Sequence, residues 1–167
     1  MRFKRGVRGT ALEKLIEFTN TRYLEFGLGR VDKIATPIKI VELDNGMITK
    51  GYFEKPSTVD FVGIIQGVFV AFDAKETEAA SLPLDNIHPH QVAYMEDIKK
   101  QGGLAFLIVH FKRYDEYYLI PLETLQEYYY DDDIKRIPYK EMQRCIRIEL
   151  DDSGLLRYID ALNELVQ

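Results

Sequence analysis

The clearest alternation of hydrophobic and polar positions runs from residue 58 to residue 75. Two apolar runs in this stretch flank a Gln66-Gly67 pair, which predicts a β-hairpin. Side chains alternate across a strand, so Val68, Val70 and Phe72 are expected to share the face that enters the core. The polar residues of both strands then fall on the opposite face.

Four of these polar side chains could converge if the two strands pair. Thr58 and Asp60 share one face of the first predicted strand, and Asp73 and Lys75 share one face of the second. Two carboxylates can hold Mg²⁺, which polarises a phosphoryl oxygen and supplies a hydroxide nucleophile, while a lysine stabilises charge on the phosphate. The set therefore predicts phosphodiester cleavage. The alternative is that Asp60 is a turn residue and that Asp73 and Lys75 end a solvated strand.

The first predicted helix covers residues 10–26. Thr10 is its expected N-cap, and Glu13 stands three residues later, at the spacing of a capping box. Glu13 has two interpretations: it is the capping partner, or its carboxylate points into an active site.

An extended hairpin is predicted over residues 31–55, with its turn at Asp44-Asn45-Gly46. Lys39 and Lys50 are among the cations that lie along it. They either line the solvated side of a peripheral sheet or touch DNA from a projecting arm.

The remaining pattern alternates helices and strands in one domain, residues 1–167. This order predicts an α/β fold with a mixed central sheet flanked by helices. His88 and His90 stand two residues apart with no Cys or further His nearby, which makes a poor zinc site. The other predicted segments are a connector over 76–90, a helix over 89–101, strands over 104–110 and 117–121, a helix over 122–130, a polar loop over 131–139, an ambiguous segment over 142–150 and a helix over 155–166.

Composition adds few restrictions. The chain has 167 residues, 46% of them hydrophobic, and a net charge of −5, which is unlike a protein that coats nucleic acid over a broad surface. The single cysteine, Cys145, excludes an internal disulfide and fits a cytoplasmic protein. Neither a signal peptide nor a membrane span is expected. Arg5 and Arg8 belong to a basic start, which is either a frayed terminus or a local DNA contact.

A series of short motifs between about residue 8 and residue 125 is more specific than a lone Asp-x-Lys. In chain order its members are Arg8-Gly9, Thr19-Asn20, Tyr23, Thr36-Pro37, Tyr52-Phe53, Ser57-Thr58-Val59-Asp60 with Gly63, Phe72-Asp73-Ala74-Lys75-Glu76-Thr77, Pro83-Leu84 and His88-Pro89-His90-Gln91. In order and spacing this series resembles the RecU-type Holliday junction resolvases. These enzymes are members of the restriction-endonuclease-like superfamily with the PD-(D/E)xK signature.

The resemblance implies a role for each matching position. Thr58, Asp60, Asp73 and Gln91 fall on the family's magnesium-site positions, and Lys75 falls on its transition-state-stabilising lysine. Asp60, Asp73 and Lys75 would form the catalytic set, with Mn²⁺ as a substitute for Mg²⁺. Glu13 falls where related nucleases carry a glutamate in the first helix and is an accessory candidate.

The expected activity is the resolution of four-way DNA junctions by paired symmetric nicks in recombination and repair. A homodimer suits this task because two-fold symmetry places two active sites on two like strands. Residues 31–55 would form the stalk that projects from the family's mushroom-shaped dimer, with Arg5, Arg8, Lys39 and Lys50 as DNA contacts. Recombination proteins are further candidate partners. The alternatives are a nuclease for other DNA structures and a non-catalytic junction-binding protein.

The chain also departs from the family pattern. Asp73 stands where these resolvases usually carry Glu, and Ala71 stands where some members have another acid. No clear match is expected beyond about Glu127, so residues 128–167 are predicted to be a C-terminal extension. These departures suggest a divergent or phage-encoded member.

Overall fold

A computed structural model describes residues 10–55 and 58–167 of the chain. The helices are α1 (Ala11–Glu25), α2 (Pro89–Lys100), α3 (Leu122–Tyr129) and α4 (Tyr158–Leu165). The strands are β1 (Gly29–Lys33), β2 (Ile38–Asp44), β3 (Met47–Phe53), β4 (Phe61–Ile65), β5 (Val68–Thr77), β6 (Ser81–Pro83), β7 (Leu104–Phe111), β8 (Glu116–Pro121), β9 (Arg136–Pro138) and β10 (Ile146–Ile148). In the described part, no helix has both the length and the apolar character needed to cross a membrane.

One six-stranded sheet organises the molecule, in the order β1-β4-β5-β7-β8-β10. Strands β5 and β7 are parallel, and the other neighbours are antiparallel. Two apolar cores lie on its two faces: α1 and α4 contribute to one, and α2 and α3 contribute to the other. The predicted α/β fold with a mixed central sheet is confirmed.

Aromatic stacking runs across the middle of the sheet. The ring centroid of Phe72 on β5 lies 5.1 Å from that of Phe61 and 4.8 Å from that of Phe106, and both rings are stacked nearly parallel to it. Val70 is buried with them, as predicted. Val68 was expected in the core but is 40% exposed, because it lies beside the turn, where neither helical layer covers the hairpin.

The central hairpin is confirmed, but its first strand is shorter than predicted. Gln66 and Gly67 both have positive φ, as a two-residue type I′ turn requires. Strand β4 begins at Phe61 and not at Thr58. The reason is that the backbone amide of Asp60 donates to the side chain of Asp73 at 3.1 Å.

The projecting hairpin consists of β2 and β3, which pair only with each other and are exposed throughout. The predicted bounds of 31–55 are therefore wrong at the start, since Val31–Lys33 belongs to β1 of the central sheet. Strand β1 lies so close to β4 that a Cβ atom on Gly63 would be 2.1 Å from the carbonyl oxygen of Arg30. Only glycine at this position permits so close an approach of the two strands. Strand β1 in turn connects α1 to the base of the projecting hairpin.

The last forty residues complete the core. Strand β10 pairs with β8 at the sheet edge, and Tyr158 of α4 is fully buried. Leu156 is held by α1, since its carbonyl oxygen accepts from the Tyr23 hydroxyl at 2.9 Å and its amide donates to Thr19 Oγ1 at 3.1 Å. The helix predicted from residue 155 therefore begins only at Tyr158.

Two segments predicted as irregular contain regular structure. Strand β5 extends to Thr77, so the predicted connector loses its first two residues to the sheet. Strand β6 then pairs with β9, which lies inside the predicted polar loop over 131–139. Such three-residue strands leave almost no periodic signal in a sequence.

Candidate active site

Asp60 and Asp73 meet just before the start of β4, where the pairing of β4 with β5 stops. The Asp60 amide donates to Asp73 Oδ1 at 3.1 Å, and Asp60 Oδ2 accepts from the amide of Ala74 at 2.9 Å. Each carboxylate is thus fixed by the backbone of the opposite strand. The structure brings the two predicted carboxylates together. The alternative of a solvated strand end at Asp73 and Lys75 is wrong, because Asp73 is buried within β5.

Lys75 neutralises the more deeply buried carboxylate. Its Nζ lies 2.6 Å from Asp73 Oδ2, and the Asp73 side chain is 0% exposed. This contact is an ion pair without hydrogen-bond geometry, so Asp73 Oδ2 has no hydrogen-bond partner in the described part of the chain. Burial of an ionised carboxylate is unfavourable without such a partner charge.

The environment of Asp60 favours its protonated form. Burial, followed by repulsion from Asp73, raises the pKa of Asp60 from 3.8 to about 7. The hydrogen bond from Ala74 and the nearby charge of Lys75 act in the opposite direction but do not outweigh them. Perturbed carboxylates of this kind are typical of functional sites.

Gln91 ties the pair to α2. Its Nε2 donates to Asp73 Oδ1 at 2.9 Å, and its Oε1 accepts from the His88 amide at 3.0 Å. Lys75 Nζ also lies 3.4 Å from this Oε1. The Gln91 side chain thus orients Asp73 and Lys75 from the first turn of the helix.

Glu13 lies at the same cleft. Thr10 caps α1 as predicted, since its Oγ1 accepts from the Glu13 amide at 3.1 Å. The Glu13 carboxylate, however, reaches Lys33 Nζ at 2.6 Å, and Lys33 also contacts Glu17 at 3.2 Å. The hydrogen bond that the Lys33 ammonium donates to Glu13 is the main reason why the pKa of Lys33 is raised. Lys33 falls inside the segment predicted as the 31–55 hairpin, and its contact with α1 was not predicted because the pairing of β1 with β4 has no local signal in the sequence.

Glu76 is a further residue that sequence reasoning missed. Its Oε1 accepts from the amide of Leu12 at 2.6 Å, and its Oε2 lies 2.8 Å from Lys112 Nζ. Burial raises the pKa of Glu76, but the hydrogen bonds from Lys112 and Leu12 outweigh it and hold the pKa below its usual value. In the sequence, Glu76 stands out only as part of the motif from Phe72 to Thr77. That motif does not predict its contacts with Leu12 and Lys112.

Asp60, Lys75, Glu13 and Glu76 line an open cleft of about 550 Å³, whereas Asp73 and Gln91 are buried and do not belong to its lining. Of the other predicted site residues, Thr58 is half-buried and does not line the cleft, and Lys39 and Lys50 lie on the exposed hairpin. Arg5 and Arg8 lie outside the described residues. The lining comprises Thr10, Glu13, Asp60, Ala74, Lys75, Glu76, Thr77, Glu78, Asn86, His88 and Lys112.

The carboxylate pair suits a hard divalent cation. Residues 10–55 and 58–167 contain no group of three or more His, Cys, Asp or Glu side chains that could hold a metal ion. Mg²⁺ does not need such a group, because it is commonly held by one or two carboxylates and keeps several waters. Asp73 Oδ2 is buried, lacks a hydrogen-bond partner among the described residues and already attracts an ammonium group. The donors therefore fit a hard cation.

Comparison with known proteins gives the family. The model of the family described as RecU, recombination protein U, matches residues 7–164. The chain belongs to the RecU family. It is 38% identical to the Holliday junction resolvase RecU of Staphylococcus carnosus (strain TM300), over 99% of this chain and 84% of that protein. It is 36% identical to the Lactococcus lactis subsp. lactis (strain IL1403) protein of the same name, over 97% and 80% of the two chains.

The RecU match covers the C-terminal part as well. The expectation that the resemblance ends near Glu127 is therefore wrong, as the contribution of β10 and α4 to the core also indicates. Among solved structures, the fold is similar to that of Archaeoglobus fulgidus Hjc, a Holliday junction resolvase from an archaeal hyperthermophile. The TM-score is 0.51 at 12% identity, over 80% of this chain and 93% of that one. This likeness supports the restriction-endonuclease-like fold.

Proposed function

We infer that this protein is an endonuclease that resolves four-way (Holliday) DNA junctions. The inference that the substrate is a four-way junction rests on its membership of the RecU family and on the names of its relatives. The observation that carries the chemistry is the contact of Asp60 and Lys75, which line one open cleft, with Asp73, which lies buried behind that lining. Paired nicks across the junction would release two duplexes in recombination and repair.

We propose that Asp60 and Asp73 hold the divalent ion, with Mg²⁺ as the physiological metal and Mn²⁺ as a substitute. The ion, when bound, supplies a Lewis acid and an activated water at the scissile phosphate. Because its pKa is raised to about 7, Asp60 would have to give up a proton in order to hold a cation near neutral pH. Gln91 then keeps Asp73 oriented, since it donates to the oxygen that Lys75 does not contact.

Lys75 is proposed to stabilise the transition state. Its ammonium lies against Asp73 without the ion, and its side chain is 15% exposed, at the wall of the cleft. If a cation took its place beside Asp73, the Lys75 ammonium would be free to contact the phosphate oxygens. A cation aimed at developing charge in a partly dry site is an effective source of rate enhancement. Thr58, two residues before Asp60 in the chain, and Glu13, which lines the cleft, are accessory candidates.

The working unit is proposed to be a homodimer, which presents two cleavage sites to two like strands. An uncovered apolar patch supports this: Ile64 is 54% exposed and pairs directly with Phe69, on the sheet face that α2 covers farther along. Ile64→Lys should therefore yield a monomer, which keeps its own metal site but does not make paired nicks. Light scattering would measure the oligomeric state, and junction cleavage would measure the loss of paired nicks.

The exposed β2–β3 hairpin is proposed as the stalk that enters the junction. Its large apolar side chains and its cations Lys39 and Lys50 face solvent, where base edges and phosphates could meet them. Arg5 and Arg8 remain candidate DNA contacts from the N-terminal segment.

The experiment that tests the function is cleavage of a synthetic mobile four-way junction, beside a linear duplex of the same sequence, with and without Mg²⁺. Symmetric nicks on the junction alone, and only with the metal, are expected. Equal cutting of the duplex would instead indicate a nuclease for other DNA structures. Tight junction binding with no metal-dependent product would indicate a non-catalytic binding protein.

A further inference from the structure

Glu76 occupies a position beside the catalytic candidates but on the other side of the sheet. It follows Lys75 directly on β5, so the two side chains leave opposite faces of the strand. Its side chain is only 12% exposed. Its Oε1 accepts from the amide of Leu12, 64 residues earlier in the chain, at 2.6 Å. The strand that carries Asp73 and Lys75 is thus joined directly to α1.

The partner amide belongs to the first turn of α1. Amides in a first helical turn have no partner within the helix, and a carboxylate there is favourable both as an acceptor and as a negative charge. Thr10 satisfies the Glu13 amide, and Glu76 satisfies that of Leu12. The start of α1 is therefore capped by one local group and by one group from the catalytic strand.

Lys112 holds the same carboxylate from the other side. Its Nζ lies 2.8 Å from Glu76 Oε2, and its amide donates to the carbonyl oxygen of Thr77 at 2.9 Å. Lys112 directly follows β7, the parallel neighbour of β5. Glu76 is therefore fixed by a helix through one oxygen and by the adjacent strand end through the other.

The residue after Leu12 is Glu13, whose carboxylate lines the cleft with Asp60 and Lys75. A shift of the first turn of α1 would move Glu13 and its ion pair with Lys33 relative to the carboxylate pair. Displacement of an active-site group by about 1 Å can lower a rate by about a hundredfold.

We propose that Glu76 is a positioning residue that couples β5 to the first turn of α1 and so places Glu13 at the active site. Lys112 locks its carboxylate in the required orientation. The consequence for catalysis rests on the proposed function, whereas the anchoring of α1 can be measured in the metal-free protein.

The test compares Glu76→Ala with Tyr23→Phe. The control removes the buried Tyr23 hydroxyl of α1, which donates to the Leu156 carbonyl oxygen and accepts from the Ile159 amide and does not line the cleft. Hydrogen exchange should speed up in residues 11–15 of Glu76→Ala and remain unchanged there in the control. In junction cleavage at saturating Mg²⁺, kcat should fall about ten- to a hundredfold in Glu76→Ala with KM nearly unchanged, and kcat should stay within about twofold of wild type in the control.

Two further variants separate positioning from general destabilisation. Glu76→Gln loses the charge next to Lys112 but keeps an oxygen for the Leu12 amide. Because that hydrogen bond is kept, the variant should retain most of the wild-type kcat. Combined with Glu13→Gln, Glu76→Ala should lose less than the product of the two single losses, because both act on one group. Unchanged exchange at residues 11–15, or multiplicative losses in the double variant, would overturn the proposal. A wild-type protein that cuts no junction would defeat the proposed function, and the exchange experiment would still confirm or overturn the anchoring.

Discussion

Asp60 and Asp73 are joined crosswise: the backbone amide of Asp60 donates to Asp73 Oδ1, and Asp60 Oδ2 in turn accepts from the amide next to Asp73. This arrangement stops the β4–β5 ladder and turns two carboxylates toward one point. It also places two carboxyl groups in a partly dry site with a single ammonium beside them, so that ionising both is unfavourable. The site therefore stores an unfavourable interaction that a divalent cation would relieve.

The first prediction concerns stability without metal. The pKa of Asp60 is raised from 3.8 to about 7, so folding becomes less favourable as pH rises between these values, because the unfolded chain gives up a proton that the folded protein keeps. Asp60→Asn removes this penalty and retains an oxygen for the Ala74 amide. At pH 8 we expect the variant to be more stable by about 2 kcal/mol, and at pH 4 by much less.

Thermal unfolding in EDTA at both pH values measures this difference. Asp97→Asn is the matched control, because that carboxylate on α2 is exposed and far less constrained. An Asp60→Asn protein that unfolds at a lower temperature than wild type at pH 8 would contradict the assigned environment of Asp60.

The second prediction concerns the charge on Lys75. Lys75→Met leaves the buried Asp73 carboxylate without its ion pair, which should lower metal-free stability by about 3 kcal/mol. Mg²⁺ should restore more of the unfolding temperature in this variant than in wild type, because the ammonium no longer competes for Asp73 Oδ2. Cleavage should still fall about a hundredfold or more, since the transition state loses a cation. Lys100→Met on the surface of α2 is the control, and a Lys75→Met enzyme with normal kcat would remove Lys75 from the chemistry.

The third prediction asks whether Gln91 orients Asp73 or takes a direct part in catalysis. Its Nε2 donates to Asp73 and its Oε1 accepts from the His88 amide, so the side chain orients the carboxylate. Gln91→Ala should raise the Mg²⁺ concentration needed for half-maximal cleavage about tenfold, with most of the kcat recovered at saturation. Gln126→Ala removes a comparable amide hydrogen bond, to Glu96, at a distance from the cleft. A loss of kcat that excess metal does not restore would assign Gln91 a direct part in catalysis.

The fourth prediction concerns the β2–β3 hairpin. Because all of its residues are exposed and it pairs with no other strand, replacing residues 38–53 with a short turn should change the unfolding temperature little. The backbone hydrogen bond from Glu54 to Pro37 marks where the two ends meet. Junction cleavage should be lost while Mg²⁺ still stabilises the protein. Full junction cleavage by the shortened chain would exclude the hairpin from substrate recognition.

Much of the candidate site was readable from the sequence because its residues lie on one local hairpin. The Gln66-Gly67 turn sets the register, and the register alone brings Asp60 opposite Asp73. Gln91 was reached only through the family resemblance, since its contact with Asp73 depends on how α2 packs on the sheet.

The contacts of Lys33 and Glu76 could not be predicted in the same way. Lys33 meets Glu13 only because β1 lies against β4 at Gly63, and Glu76 meets Leu12 across 64 residues. Long-range pairings of this kind have no periodic signature. For the same reason the three-residue strands β6 and β9 were missed, and α4 was predicted three residues too early.

The most direct test of the central claim is the cleavage of a four-way junction by wild type and Asp60→Asn at equal, saturating binding. We predict symmetric, Mg²⁺-dependent nicks by wild type, no nicks by the variant, and the same junction affinity for both, because the substitution removes a carboxylate and leaves the fold intact. Retained cleavage by Asp60→Asn would contradict the assignment of the Asp60–Asp73 pair as the catalytic centre.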